Sequence, residues 1–419
     1  MASRFADVPL GPPIEVFALM KAFADDPHPN KVNLGAGTYK TEESKPWVLP
    51  VVRETELMMA NDVTLNHEYL PILGMEAFSK AATSLLLGED NVAINEQRAF
   101  GIQTLSGTGA LRVGADFLAK VCKYTVFYYS NPTWENHRLL FLNAGFESAR
   151  TYRYWDESGR CLDIKGFLED LKNAPPHSVI ILHAIAHNPT GCDPTQEQWK
   201  QIADVCEERQ LFPFFDSAYQ GFASGDVDKD AWAVRYFVSR GFEIFCAQSF
   251  AKNFGLYNER VGNLTVVTKD SSNVPQIKSQ LTLIVRGCYS NPPNHGARIV
   301  ATILTNPDLN QKWKKCIEIM STRIKEMRIL LNTTLKALGT PGNWDHILTQ
   351  IGMFSYTGLS KRQVENMVKK HRVYLLSSGR INMCGITKEN VKYVAEAIHD
   401  SVRSFPDISS GDSNEVAKF

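Results

Sequence analysis

A chain of 419 residues, 44% hydrophobic and 21% charged, is long enough for two or more domains and has the composition of an ordinary soluble globular protein. Its 45 basic and 45 acidic side chains balance to a formal net charge of zero, which argues against a polyanionic partner such as nucleic acid. The eight cysteines form no C-x-x-C pair and no zinc spacing, which fits free thiols in a reducing compartment and no metal site; no segment reaches the ~18 apolar residues of a membrane span.

Residues 1–13 are proline-rich and cannot begin a helix early; from composition they are either an ordered arm or a floppy terminus. They hold no apolar h-region and no Arg-rich amphipathic stretch. If Met1 is the true start, this predicts a cytoplasmic protein, although a mature mitochondrial chain would look similar. Ile14 to Phe23 has helical apolar spacing. Lys31 to Tyr39 reads as a short strand ending in the turn Gly35-Ala36-Gly37, where glycine permits close approach of a ligand; a plain tight turn is the alternative. No third glycine follows, so it is not a dinucleotide fingerprint. Asn66 to Gly74 is a loop carrying the phenol of Tyr69.

Gln103 to Arg112 opens a helix after a short apolar strand. Ser106, Gly107, Thr108 and Gly109 leave backbone N–H groups free to meet an anion, or they are simply a small-residue helix start. The Gly-Lys-Ser/Thr ending of a P-loop is missing, and Arg112 stands where a Rossmann motif needs glycine. Thr125 to Ser130 reads as a strand leading to Trp134, whose flat face could stack on an aromatic ring. His137 follows and could orient a neighbour. Ser178 to His183 is a buried strand, and the turn His187-Asn188-Pro189 comes next. His183 and His187 are satisfied core residues or site groups. Leu211 to Asp216 ends an apolar strand with an acid, which needs a cation beside it; Tyr219 follows.

Glu243 to Gln248 is an apolar run of strand length. It leads into Ser249-Phe-Ala-Lys252-Asn-Phe-Gly-Leu-Tyr-Asn-Glu-Arg260-Val-Gly-Asn263. A lysine at the mouth of a core strand is shielded from water, and burial lowers an amine pKa. A neutral amine can attack a carbonyl. Ser249 and Arg260 suit a phosphate dianion. The bland alternative is a lysine snorkelling out of a turn. Cys246 reads as a small apolar filler. Together these runs predict a mostly parallel sheet with helices on both faces. Ligands of such sheets bind beyond the carboxyl ends of the strands, and Trp134, Asn188, Asp216, Tyr219 and Lys252 all fall at or just after such ends.

Arg286 follows the apolar run from Leu281 and alone could be a snorkelling helix residue. A long helix is expected from Asn306 to about Leu338, linking two domains and broken by Gly339-Thr-Pro-Gly. The remainder reads as an α+β unit. It has strands near Phe354 and Val373, a helix over Lys361 to His371, an inward turn at Ser377-Ser-Gly-Arg380, and a last helix from Thr387 to Phe405. The polar tail that follows is expected to be disordered.

From about Val8 to about Val402, and most specifically around Lys252, the chain resembles the class I pyridoxal-phosphate-dependent aminotransferases, in particular aspartate aminotransferases of the animal cytosolic type. The resemblance implies an α/β fold of type I, with a mostly parallel seven-stranded-type sheet between helices and a smaller α+β domain. It implies an N-terminal arm at 1–13 lying on a partner subunit, a small domain from 14–46 and 320–405, a large cofactor domain at 47–319 and a tail at 406–419. It implies transfer of an amino group between L-aspartate and 2-oxoglutarate. Lys252 would hold pyridoxal 5'-phosphate as an imine and move the proton. Asp216 would face the ring nitrogen, Tyr219 and Asn188 the phenolic oxygen, and Trp134 the ring face. Ser106, Gly107, Thr108, Ser249 and Arg260 would bind the phosphate, with Tyr69 from the neighbour. Gly37 and Arg380 would meet the substrate near its α-carboxylate. Arg286, with Ser290, would come from the other subunit of a homodimer to hold the side-chain carboxylate. His137 and His183 would stand behind the site, and no metal, nucleic acid or membrane is implied.

The chain departs from its cytosolic relatives in places. Ala251 stands where serine is usual, Ser377 replaces a proline, and Cys288-Tyr-Ser looks mitochondrial. Tyr69, Trp134 to His137 and Asn258 to Asn263 favour the cytosolic type. Two other readings remain: a non-enzymatic paralogue that binds a partner, opposed by the joint presence of Lys252, Asp216, Tyr219, Arg286 and Arg380, and an aminotransferase of wider substrate range. A hydride-transferring dehydrogenase fails for want of the three-glycine motif.

Overall fold

Seven strands pair into one sheet in the computed structural model, which describes residues 3–406. In chain order they are β1 (Ala99–Leu105), β2 (Val126–Asn131), β3 (Ser148–Arg153), β4 (Val179–His183), β5 (Phe212–Ser217), β6 (Ile244–Ser249) and β7 (Val261–Val267). The spatial order is β1-β7-β6-β5-β4-β2-β3. Strand β7 runs antiparallel to both its neighbours, and the other pairs are parallel. This is the mostly parallel sheet expected from the sequence.

The central strands are apolar at successive positions because both faces are covered. Along β4, Val179 and Ile181 enter one core while Ile180 and Leu182 enter the other. Phe214 and Phe215 of β5 divide in the same way, as do Phe245 and Cys246 of β6. Cys246 is thus the apolar filler its neighbours suggest. Each strand ends where its residues turn polar, so the carboxyl ends of β2, β4, β5 and β6 open on one edge.

Four helices bear on the site: α1 (Glu15–Asp25), α2 (Ser106–Lys120), α3 (Val274–Cys288) and α4 (Pro307–Ala337). Helix α4 matches the expected span closely. Asn306 accepts from the amides of Asp308 and Leu309, and Pro307 starts the helix, where its missing N–H costs nothing. Gly339 follows the end with φ +62°. A third core lies along α4, from Leu309 and Trp313 to Leu331 and Leu335, and includes Phe354, Met383 and Ile398. The Trp313 indole donates to Asn253 O at 2.8 Å, which ties α4 to the Lys252 turn.

The C-terminal unit is α+β. Phe354–Tyr356 pairs antiparallel with Arg380–Asn382, and Val32–Asn33 pairs parallel with Val373–Tyr374. The strand expected from Lys31 is therefore only two residues long. The Asn33 side chain accepts from the amides of Gly35 and Ala36 and turns the chain. The last helix spans Val391–Ser404 and starts later than expected. Thr387 and Asn390 cap one another, side chain to amide, and so hold the preceding residues in a turn. The expected tail lies outside the described residues, apart from Pro406. Among the described residues no helix is long and apolar enough to cross a membrane.

Candidate active site

A cavity of about 440 Å³ opens beyond the carboxyl ends of the strands. Gly37, Ser106, Gly107, Thr108, Trp134, His183, Asn188, Asp216, Tyr219, Ser249, Lys252, Arg260 and Arg380 all line it. The topology explains the convergence: Trp134 follows β2, Asn188 follows β4, Asp216 ends β5 and Lys252 follows β6. Helix α2 starts directly after β1.

Lys252 sits in a turn closed by Gly255 N–H donating to Lys252 O at 3.0 Å. Its Nζ lies 5.1 Å from the centre of the Tyr219 ring. Burial draws its amine below the ordinary lysine value; Asp216 opposes this, while the positive charges of Arg260 and Arg380 reinforce it.

Asp216 receives a directed chain of hydrogen bonds. The Asn188 backbone N–H donates to His183 Nδ1 (3.3 Å). The other His183 nitrogen then carries the proton, and Nε2 donates to Thr133 Oγ1 at 3.2 Å. Thr133 donates in turn to His137 Nδ1 (2.9 Å), leaving His137 Nε2 to donate to Asp216 Oδ2 (2.9 Å). Burial alone would raise the Asp216 carboxyl. The His137 hydrogen bond, with the nearby histidines and Lys252, more than offsets it, and the carboxyl lies below its ordinary value. Burial also holds His183 well below the usual histidine range. His187 stays outside this chain. Its ring nitrogens meet Ser130 Oγ and Thr190 Oγ1, each at 2.8 Å, and it stacks on Tyr154, so it is a satisfied core histidine.

The N-terminus of α2 faces the cavity. Ser106 takes φ +61°, its Oγ is 3.1 Å from Ser249 Oγ, and its amide donates to Arg260 O at 3.1 Å. The first amides of a helix have no intrahelical partner, so this cup of hydroxyls, amides and the Arg260 guanidinium is built for an anion. Two glycines keep it tight. A Cβ on Gly107 would lie 3.0 Å from Ser249 Cβ, and one on Gly262 would lie 2.2 Å from Ser106 C.

Arg380 is 7% exposed. Its Nη1 donates to Asn188 Oδ1 (3.1 Å) and its Nη2 to Gly35 O (2.9 Å), and its guanidinium lies 4.1 Å from the centre of the Phe354 ring. Its Nε is buried with no partner among the described residues. A buried guanidinium satisfied only by neutral oxygens and a ring is a ready carboxylate receptor.

Tyr69, Arg286 and Ser290 do not reach this cavity. Tyr69 is 84% exposed, and Arg286, in the last turn of α3, donates to Ser290 Oγ. The two segments are neighbours, because Asn291 Nδ2 donates to Leu70 O at 3.0 Å. They form a shared surface away from the chain's own cavity. Thr133 and Phe354 were missed in the sequence. Thr133 stands inside a segment already singled out, but a lone threonine signals nothing. Phe354 reads as core, and its ring does pack edge-on to Tyr219.

Fold and site together define an α/β group-transfer enzyme that works with a half-buried lysine at the carboxyl ends of its strands. The chain belongs to the aminotransferase class I and II family, whose model matches residues 29–398. It is 58% identical over 406 residues to the cytoplasmic aspartate aminotransferase of Gallus gallus, covering 96% of this chain and 98% of that protein. Its structure is similar to that of the aspartate aminotransferase from Saccharomyces cerevisiae cytoplasm, with TM-score 0.94, 45% identity and coverage of 96% and 99%. It also resembles an aromatic-amino-acid aminotransferase from Burkholderia pseudomallei covalently bound to pyridoxal phosphate, with TM-score 0.92, 40% identity and coverage of 96% and 100%.

Proposed function

We infer that the protein catalyses reversible transfer of the amino group between L-aspartate and 2-oxoglutarate, giving oxaloacetate and L-glutamate, with pyridoxal 5'-phosphate as cofactor. It acts in the cytoplasm, as the name of the chicken relative supports. The observation that carries this reading is the joint presence, in one cavity, of a shielded lysine, an ionised aspartate and a buried guanidinium with a free Nε.

The residues fit the cofactor. Ser106, Gly107, Thr108, Ser249 and Arg260 form the phosphate cup, Trp134 offers its face to the ring, and Tyr219 and Asn188 offer donors to the phenolic oxygen. When bound, pyridoxal phosphate supplies a sink for the electrons released as a Cα–H bond breaks. Asp216 keeps a proton on the ring nitrogen. Lys252 takes the proton from the substrate Cα and later returns one. Arg380 holds the α-carboxylate beside Gly37. The residue groups 14–46 with 320–405, and 47–319, act as small and large domains. In a homodimer, Tyr69, Arg286 and Ser290 of one copy reach the cavity of the other. Tyr69 there meets the phosphate and Arg286 the second carboxylate of a dicarboxylic substrate. A neutral amino acid leaves that arginine unpaired, which disfavours it by roughly 2 kcal/mol.

The test is an absorbance spectrum of the purified protein with added pyridoxal phosphate. A visible band that moves into the near-ultraviolet on adding L-aspartate, and much less with L-phenylalanine, is expected. No visible band would sink the reading, and equal responses to both amino acids would replace it with a broad-range aminotransferase. Gly262→Ala is expected to weaken cofactor binding about tenfold or more, because the added methyl meets Ser106 backbone that cannot swing away. Titration of the apoenzyme with pyridoxal phosphate measures this.

A further inference from the structure

Helix α1 runs along the mouth of the cavity, and Glu15, Val16, Phe17 and Met20 line that mouth. None of its residues is buried, so its position depends on a few specific contacts. Its C-terminal end is well fastened. Lys31 Nζ donates to Phe23 O at 2.7 Å, the Tyr374 hydroxyl donates to Asp26 Oδ2 at 2.7 Å, and Phe23 packs edge-on against Tyr374. Midway along, Leu19 packs on Gly35 so closely that a Cβ there would lie 2.2 Å from Leu19 Cδ2. At the N-terminal end, Ile14 provides no side-chain cap. There the Ser377 amide donates to Glu15 Oε1 at 2.6 Å.

The two ends of this arrangement meet at Arg380. Gly35 O accepts from Arg380 Nη2, and Ser377 lies in the turn before Arg380, closed by Gly379 N–H donating to Leu376 O at 2.9 Å. Glu15 therefore joins the first turn of α1 to the loop that carries the carboxylate receptor. Ser377 is essential to the contact. A proline there, which the family resemblance leads one to expect, has no N–H to donate.

We propose that Glu15 is a positioning residue for substrate binding, which grips the Ser377 amide and so fixes the first turn of α1 and the Arg380 loop against each other. The substrate named in the test rests on the proposed function; the grip itself does not. A contact of this kind acts on how firmly a carboxylate is held, not on the proton transfer at Lys252. It should therefore appear in KM and in the binding of an unreactive dicarboxylate, not in kcat.

The test uses the holoenzyme with Glu15→Ala, Glu15→Gln and Ser377→Pro. Glu15→Ala is expected to speed hydrogen exchange at the Ser377 amide and to raise both KM for L-aspartate and Kd for succinate about fivefold, with a much smaller change in kcat. Glu15→Gln keeps an acceptor oxygen and should recover most of the difference. Ser377→Pro should match Glu15→Ala in KM, and the double variant should add nothing further. Unchanged exchange at Ser377 in Glu15→Ala overturns the proposal, as does a loss confined to kcat or an equal KM in the Ala and Gln variants. If the unaltered protein fails to turn over aspartate, the proposed function falls, and the exchange at Ser377 still decides whether the grip exists.

Discussion

Lys252→Ala is expected to lower kcat/KM for L-aspartate by at least about 10⁴-fold, since on the proposed function it would remove both the attachment point and the acid–base group. The fold should persist. The turn is held by backbone bonds, Phe250 N–H to Val261 O and Gly255 N–H to Lys252 O, each 3.0 Å, and by the Trp313 indole on Asn253 O. A melting temperature close to that of the unaltered protein is the control. Lys252→Arg should be almost as inactive, because a guanidinium stays charged at any working pH and has no free electron pair to take a proton. The surroundings favour lysine for that reason: burial and the two flanking arginines all push toward the neutral amine, and only Asp216 pulls the other way. Steady-state kinetics on the two variants, with borohydride treatment to ask whether cofactor becomes fixed to the chain, measures both effects. Turnover within tenfold of the unaltered protein in either variant would remove Lys252 from the chemistry.

Much of this site was legible in the sequence because its parts end strands. A strand buried on both faces is apolar at every position, so the first polar residue after it marks the edge where ligands bind. Asp216 stands out on that ground alone; Lys252 comes three residues after the end of its strand and stands out through its neighbours Ser249 and Arg260. What stayed hidden depends on contacts between distant residues. Thr133 matters because two histidine rings bracket its hydroxyl, and nothing local announces that. Phe354 looks like any core aromatic until its ring is found over Arg380. The contact between Glu15 and Ser377 spans 362 positions. His183 and His187 sit on similar apolar ground, and only their partners separate the relay member from the core filler. Thr387 and Asn390 show the same limit at a helix end, where their reciprocal side-chain-to-backbone bonds hold a turn ahead of the helix that begins at Val391.

Asp216→Asn is expected to cost about 10³-fold in kcat/KM, although the side chains differ by little more than one atom's identity. The hydrogen-bond chain explains why so small a change is so damaging. It runs one way, from the Asn188 backbone N–H through His183, Thr133 and His137, and ends on an acceptor. An asparagine can keep that chain only by turning its oxygen to His137, and its NH₂ then faces the cavity, where a protonated ring nitrogen needs an anion. With the amide reversed, NH₂ meets the His137 Nε2 proton. Each proton along the chain must then shift, until His183 Nδ1–H confronts the Asn188 amide, donor against donor. Neither orientation holds a proton on the ring. His137→Ala should cost less, about tenfold, since Asp216 keeps its charge but loses the bond that helps hold its carboxyl below the ordinary value. The sign of the pH effect follows. The ionised form of Asp216 persists above its depressed pKa and is lost only as pH falls through it, so Asp216 should add no acid limb to kcat/KM between neutrality and the ordinary carboxylate range. In His137→Ala such a limb should move toward neutral pH. A flat profile in that variant would mean that burial and the remaining neighbours, not His137, set the charge on Asp216.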